Sequence, residues 1–240
     1  MLTIDLEKLS LEPGNRVLDL GCGDGRHSRA LGMLEGVSVV AADIGQEEVA
    51  RTAHSLAGME PGLDSERPPG PWMALRASAY ELPFSDESFD CVILSEVLEH
   101  LHEDRRALAE IGRVLKPGGT LALSVPREGP EAVCWALSHE YRNSPGGHVR
   151  IYRRRKLERM INESGYEVFA SHFAHALHTP FWWLKCLVGP SREGFIPVEL
   201  YHKLLVWDLM KRPWITRLAE DLLNPFLGKS VVFYATKAAT

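Results

Sequence analysis

Apolar positions along the chain follow two rhythms. Short continuous apolar runs at 17–20, 37–42, 72–77, 91–94 and 120–125 read as strands covered on both faces of a parallel sheet. Between them, apolar residues recur at helical spacing over 26–34, 46–57 and 105–115. The third of these helices runs into Lys116-Pro117-Gly118-Gly119, a strong stop signal. Upstream, 4–11 predicts a lead-in helix that ends at Pro13-Gly14 and lies over the edge of the ligand crevice. The stretch 58–71 holds four prolines and three glycines and reads as an exposed connection tolerant of insertion. Farther on, 126–147 is polar and glycine-rich, 153–164 is a helix, and 166–175 and 230–237 are a sixth and a seventh strand. About fifty-five residues separate those last two strands, far more than a hairpin between antiparallel neighbours needs.

The first strand carries an anomaly and then breaks. Asp19 sits among Val17, Leu18 and Leu20, where a buried carboxylate costs several kcal/mol unless it is partnered. Gly21, Gly23 and Gly25 follow in alternation, allowing positive φ and leaving no Cβ in the way of a ligand lying on the backbone. The helix after them would aim its N-terminal N–H groups into the loop. A phosphate-binding loop needs Lys-Ser/Thr after its last glycine, and Arg26-His27 stands there. A dinucleotide fingerprint needs its third glycine at position 26, which is Arg26. An ordinary glycine-rich turn remains as the bland alternative. Eighteen residues past Gly25 the second strand ends in Asp43, near the spacing at which a nucleotide-binding β-α-β unit places a ribose-binding acid. Its alternative role is to cap the helix over 46–57.

The G-x-G-x-G loop with an acid two residues before its first glycine resembles the first motif of the class I S-adenosylmethionine-dependent methyltransferases. Ser78-Ala79-Tyr80-Glu81-Leu82-Pro83-Phe84 is similar to that family's D-A-x-x-L-P-F segment, with Ser78 in place of the acid that bonds the adenine amino group. The phrase Ser95-Glu96-Val97-Leu98-Glu99-His100-Leu101 is close to that of small-molecule methyltransferases related to quinone-biosynthesis enzymes, where it borders the methionine half of the cofactor. The resemblance runs in order over 14–126. It implies an α/β fold: a Rossmann-like, doubly wound sheet of seven strands, the last antiparallel. It also implies S-adenosylmethionine as cofactor, bound by Asp19, Gly21, Cys22, Gly23, Gly25, Asp43, Ile44, Ser78, Ala79 and Ser95. The expected reaction is methyl transfer to an oxygen, nitrogen or carbon nucleophile of a small molecule. His100 and His148 are the candidate general bases, each with a local structural role as its alternative.

The 240 residues make one domain, divided into a cofactor-binding core (14–126), a substrate-side loop and helix (127–165) and a helical cap inserted at 176–228. Phe181-Trp182-Trp183, Trp207 and Trp214 in that insertion suggest a roof over an apolar pocket, hence a partly apolar or lipid-like acceptor. With the basic run of Arg150, Arg153, Arg154, Arg155, Lys156 and Arg159 they raise peripheral membrane contact as an expectation. The net charge of −5 and the absence of an N/D-P-P-Y/F segment after the fourth strand argue against a nucleic-acid substrate. Four scattered cysteines suggest neither zinc site nor disulfide, and no leader or spanning run is evident, so a reduced cytoplasmic setting is expected. His172, His175 and His178 recur every third residue, but a strand throws the first two onto opposite faces, so no metal is expected. The alternative class is a non-catalytic S-adenosylmethionine-binding scaffold or regulatory protein.

Overall fold

The computed structural model describes residues 2–59, 70–211 and 213–238. Seven strands form one sheet in the order β3-β2-β1-β4-β5-β7-β6. They are β1 (Arg16–Leu20), β2 (Ser38–Asp43), β3 (Trp72–Arg76), β4 (Phe89–Ser95), β5 (Leu115–Pro126), β6 (Tyr166–Ala174) and β7 (Ser230–Lys237). β7 runs antiparallel to both its neighbours, and the pairings among β1 to β5 are parallel. The strand order reverses between β1 and β4, so the crevice at their carboxyl ends is where such a sheet takes a ligand.

Period-two alternation sorts the core onto two faces. Leu18, Leu20, Val92 and Leu94 pack on one face with Leu108 and Ile111 of α3 (Asp104–Val114) and Leu157 and Ile161 of α6 (Arg154–Glu163). Val17, Cys91 and Ile93 pack on the other with Ile4, Tyr234 and Leu31 of α1 (Arg26–Gly32). Both faces are buried, which is why these strands read as continuous apolar runs. Asp19 alternates onto the α1 side. α2 (Gln46–Ala57) has the bounds expected of it, whereas most of the proline-rich connection at 58–71 lies outside the described residues.

Three expectations need correction. The lead-in segment forms only a 3-10 turn (Leu6–Leu9), where the Asp5 side chain accepts from the Glu7 N–H. Its extended start is nonetheless anchored, since the Ile4 N–H donates to His27 Nε2 (3.3 Å) and Ile4 is buried against α1. Next, α3 stops at Val114, but Lys116 to Gly119 belong to β5, which absorbs them as an irregularity against β4 with Gly118 at φ +73. Finally, 126–147 contains α4 (Glu128–Leu137) and the short α5 (His139–Arg142). Gly129-Pro130 looks like a breaker, yet proline in a first helical turn loses no hydrogen bond.

The long insertion consists of α7 (His178–Val188), α8 (Ile196–Lys211) and α9 (Trp214–Leu227). No helix among the described residues is long and apolar enough to cross a membrane.

Candidate active site

The break after β1 is held mostly by its own backbone. The N–H groups of Gly21 and Cys22 both donate to Ala42 O (2.7 and 3.1 Å), and that of Gly25 donates to Cys22 O (2.9 Å). Gly23 N–H donates to Asp43 Oδ2 (3.0 Å), and the other Asp43 oxygen accepts from Gly45 N–H (2.9 Å). Four of the loop's donors are therefore spent inside the protein. Such a loop suits a molecule that lies flat against it better than a phosphate that needs a ring of N–H groups.

All three glycines adopt positive φ, but for different neighbours. A Cβ on Gly21 would stand 2.2 Å from Val97 Cγ2, and one on Gly25 would stand 2.8 Å from Thr52 Oγ1. At Gly23 a Cβ would meet nothing within 4 Å. The outer glycines are thus required by the protein's own packing, and the middle one borders open space. Beside that space the Ile44 side chain is 62% exposed.

Asp19 finds its partner in the first turn of α1. The N-cap of that helix is Gly25, which has no side chain, and the Asp19 carboxylate takes over by accepting from the Ser28 N–H (2.8 Å) and the Ser28 hydroxyl. Burial pushes its carboxyl up to about 6, against the lowering effect of the Ser28 bonds and the Arg26 charge. Asp43 is not the N-cap of α2, which is Gly45; it bonds that residue's N–H from two positions upstream.

The other expected residues divide. Cys22 has a buried thiol, which burial raises to about 12, so only its backbone faces the loop. Ser78 Oγ accepts from Tyr80 N–H (3.2 Å), which leaves one lone pair for any further donor, and Ala79 is buried beside it. Ser95 lies 3.0 Å from Ser124 Oγ, and Ser124 donates to Glu96 Oε1 (2.8 Å), so the three form a relay at the end of β4. Glu96 there holds φ +57, rare for a non-glycine residue.

His100 and His148, distant in sequence, come together with ring centroids 5.0 Å apart. His148 Nδ1 lies 2.6 Å from Glu131 Oε1, and Tyr141 OH donates to the other oxygen of the same carboxylate (3.3 Å). Burial favours a neutral Glu131, but the His148 bond and charge outweigh it and hold the carboxyl below its usual range. Glu131 and Glu99 were not anticipated. Glu131 lies in a helix that the glycine-rich reading missed, and Glu99 stands beside His100 in a phrase whose candidates are Ser95 and the histidine.

A cavity of about 460 Å³ runs from this end of the sheet under the insertion. Arg26 and Glu96 line it from the sheet side, and His178, Phe181, Trp182 and Leu205 from α7 and α8. Lys229 also lines it, with its ammonium 5.5 Å from the Trp182 ring centre. Burial lowers the basicity of His178 to about 4.

The sequence profile described as "Methyltransferase domain" matches residues 4–171. The chain belongs to this methyltransferase family. The match ends before α7, so the insertion lies beyond the family's shared part. The chain is 39% identical over 110 residues to a demethylmenaquinone methyltransferase of Clavibacter sepedonicus, covering 46% of this chain and 40% of that protein. It is 29% identical over 164 residues to the O-methyltransferase resE of Aspergillus sclerotiorum, covering 67% and 58%. The chain spans about half the length of the curated relatives it matches. Among solved structures, a SAM-dependent methyltransferase from Methanosarcina mazei superposes with a TM-score of 0.63 at 17% identity, covering all of both chains. The [4+2]-cyclase SpnF superposes with a TM-score of 0.61 at 20% identity, covering 98% of this chain and 78% of that one.

Asp19 gives the methyltransferase loop a measurable signature. Its folded-state pKa is raised, so the stability it contributes is complete below the ordinary carboxylate range and is lost as pH rises through about 6. Asp19→Asn keeps an oxygen for Ser28 and removes the buried charge. The variant is expected to exceed the wild type in stability at pH 8 by about 1–3 kcal/mol, with the gap closing towards pH 4. Urea unfolding at both pH values checks this; a variant less stable at pH 8 would show that the charged form is the favoured one.

Proposed function

We propose that the chain transfers the methyl group of S-adenosylmethionine to an oxygen, nitrogen or carbon nucleophile of a small, partly apolar acceptor. The observation that carries this reading is the open space at Gly23, bounded by the Asp43 carboxylate and the exposed Ile44. An adenosine fits those residues: lone pairs of the Asp43 oxygens remain for ribose hydroxyls, and Ile44 offers an apolar face to a base. Ser78, with its remaining lone pair, is the candidate acceptor for an adenine amine. The methionine half would then lie towards Ser95 and Glu96 and meet the cavity under the insertion.

S-adenosylmethionine supplies a methyl group already activated by its sulfonium charge. The protein's work is to align the acceptor with that methyl and to exclude water. α7 and α8 are suited to this, because they roof the cavity with Phe181, Trp182 and Leu205. They support an apolar acceptor, with the insertion acting as the cap and His100 and His148 on the acceptor side. The free state of all four cysteines and the acidic net charge support work in the cytoplasm on a substrate other than nucleic acid.

We extend the proposal to a peripheral membrane contact, supported by exposed apolar side chains of the insertion. Met210, Trp214 and Phe226, on α8 and α9, are each more than 70% exposed. Basic charge supports it less than the sequence suggests, since Arg150 pairs with Asp104 and Arg153 with Glu128. Contact through those apolar side chains alone predicts sedimentation with liposomes that survives high salt and is lost in Trp214→Ser with Phe226→Ser. No sedimentation at any salt would remove the membrane from the reading.

Asp43 tests the adenosine assignment. Asp43→Ala is expected to weaken S-adenosylmethionine binding by about 1.5–3 kcal/mol, the usual worth of hydrogen bonds to a charged group. Calorimetry measures it, and unchanged affinity would leave Asp43 as a brace between the glycine loop and Gly45 only.

A further inference from the structure

We propose that Glu99, His100 and His148 form a site for one divalent transition-metal ion of the zinc type. One ligand atom from each lies within 4.8 Å of the other two. Glu99 is 1% exposed, and neither of its carboxylate oxygens has a hydrogen-bond partner. A carboxylate so placed is costly unless a cation or a proton meets it.

Neither imidazole is within hydrogen-bond reach of Glu99. His148 Nδ1 faces Glu131 Oε1 at 2.6 Å, and a carboxylate there accepts, so the Nδ1–H donates. His100 Nδ1 faces the Gly147 carbonyl at 3.2 Å, and a carbonyl only accepts, so this Nδ1–H donates as well. In the neutral rings both Nε2 atoms then carry bare lone pairs. Both face Glu99 Oε1, from 3.9 Å (His148) and 4.0 Å (His100). Those separations exceed a hydrogen bond. With a metal ion displacing any proton these atoms carry, three electron-pair donors converge, and a small contraction brings each to the roughly 2.0–2.2 Å of a zinc ligand.

The surroundings fit an ion as well as the triangle does. Glu131 behind His148 fixes its tautomer in the way a carboxylate commonly backs a metal-ligating histidine. The Glu99 carbonyl accepts from Val149 N–H (2.9 Å), which ties the His148 segment to the Glu99 turn. Two imidazoles with one carboxylate suit zinc and its neighbours, whereas calcium and magnesium prefer oxygen alone. The carboxylates of Glu96 and Glu131 add negative potential; burial first, and then the Glu96 charge, raises the Glu99 carboxyl well above its usual range. Both histidines stand out in the sequence as candidate bases, but not as ligands with Glu99, because Glu99-His100 and His148 lie on separate segments with no recognisable spacing.

Three protein ligands leave coordination positions open. One consequence rests on the methyl-transfer reading: an acceptor hydroxyl bound at an open position would lose its proton more readily. His100 and His148 would then serve as ligands and not as bases.

The test uses the full chain, stripped with chelator and dialysed against Zn²⁺ in the absence of S-adenosylmethionine, with Co²⁺ absorption as a second reading of coordination. One equivalent is expected to bind, with Glu99→Gln and His148→Ala each abolishing it. Glu131→Gln, which touches no ion, should weaken binding roughly 10–100-fold. Thermal melts of each variant, and calorimetry with S-adenosylmethionine, separate loss of the site from loss of the fold or of the adenosine site. Less than one equivalent on the folded wild type overturns the proposal, and so does binding unchanged in Glu99→Gln and His148→Ala. Either result leaves Glu99 as a buried acid that holds its own proton.

Discussion

The turn that leaves β1 constrains everything placed after it. Between Asp19 and Gly25 the chain must turn three times into positive φ, tuck Asp19 beneath α1 and leave room beside Gly23. Asp43 ties the result together, because its two oxygens hold Gly23 on one side and Gly45 on the other. The ends of β1 and β2 are therefore one rigid unit. A ligand entering there meets a surface already formed, and little ordering entropy remains to oppose binding.

Most of the sheet was legible because each parallel strand is covered on both faces. Covered strands have to be apolar throughout, and helices packed on them must be apolar at a period near 3.6. Legibility failed where local signals are two-sided. Pro117-Gly118-Gly119 looks like an end to all regular structure, yet the strand simply bulges through it. Gly129-Pro130 looks like a loop, yet it opens α4 and so places Glu131. The crevice residues were legible as a set, but the division of labour among the glycines was not. That division depends on Val97 and Thr52, which lie far along the chain.

The polar cluster around His148 resisted reading for a related reason. It is assembled from the turn after β4, from α4 and from the segment before α6, three pieces with no common motif. Only the sheet order brings them together, since β5 lies next to β4 and both deliver their following segments to the same end. The insertion closes over that end with aromatic side chains, and Trp182 touches both parts: it lines the cavity and packs 5.8 Å from the Tyr141 ring, which in turn borders His148. The family profile ends at residue 171, so the crevice after β1 lies within the shared part and the insertion beyond it.

The central claim is that the space at Gly23 receives S-adenosylmethionine. Titration calorimetry on Gly23→Val, with Gly23→Ala as the milder variant, tests it most directly, because a Cβ there meets no protein atom within 4 Å. Positive φ makes both variants somewhat less stable, so a cooperative thermal melt must accompany each titration. The account predicts saturable one-to-one binding to the wild type, weaker binding to Gly23→Ala and none to a folded Gly23→Val. Wild-type affinity in a folded Gly23→Val would contradict it.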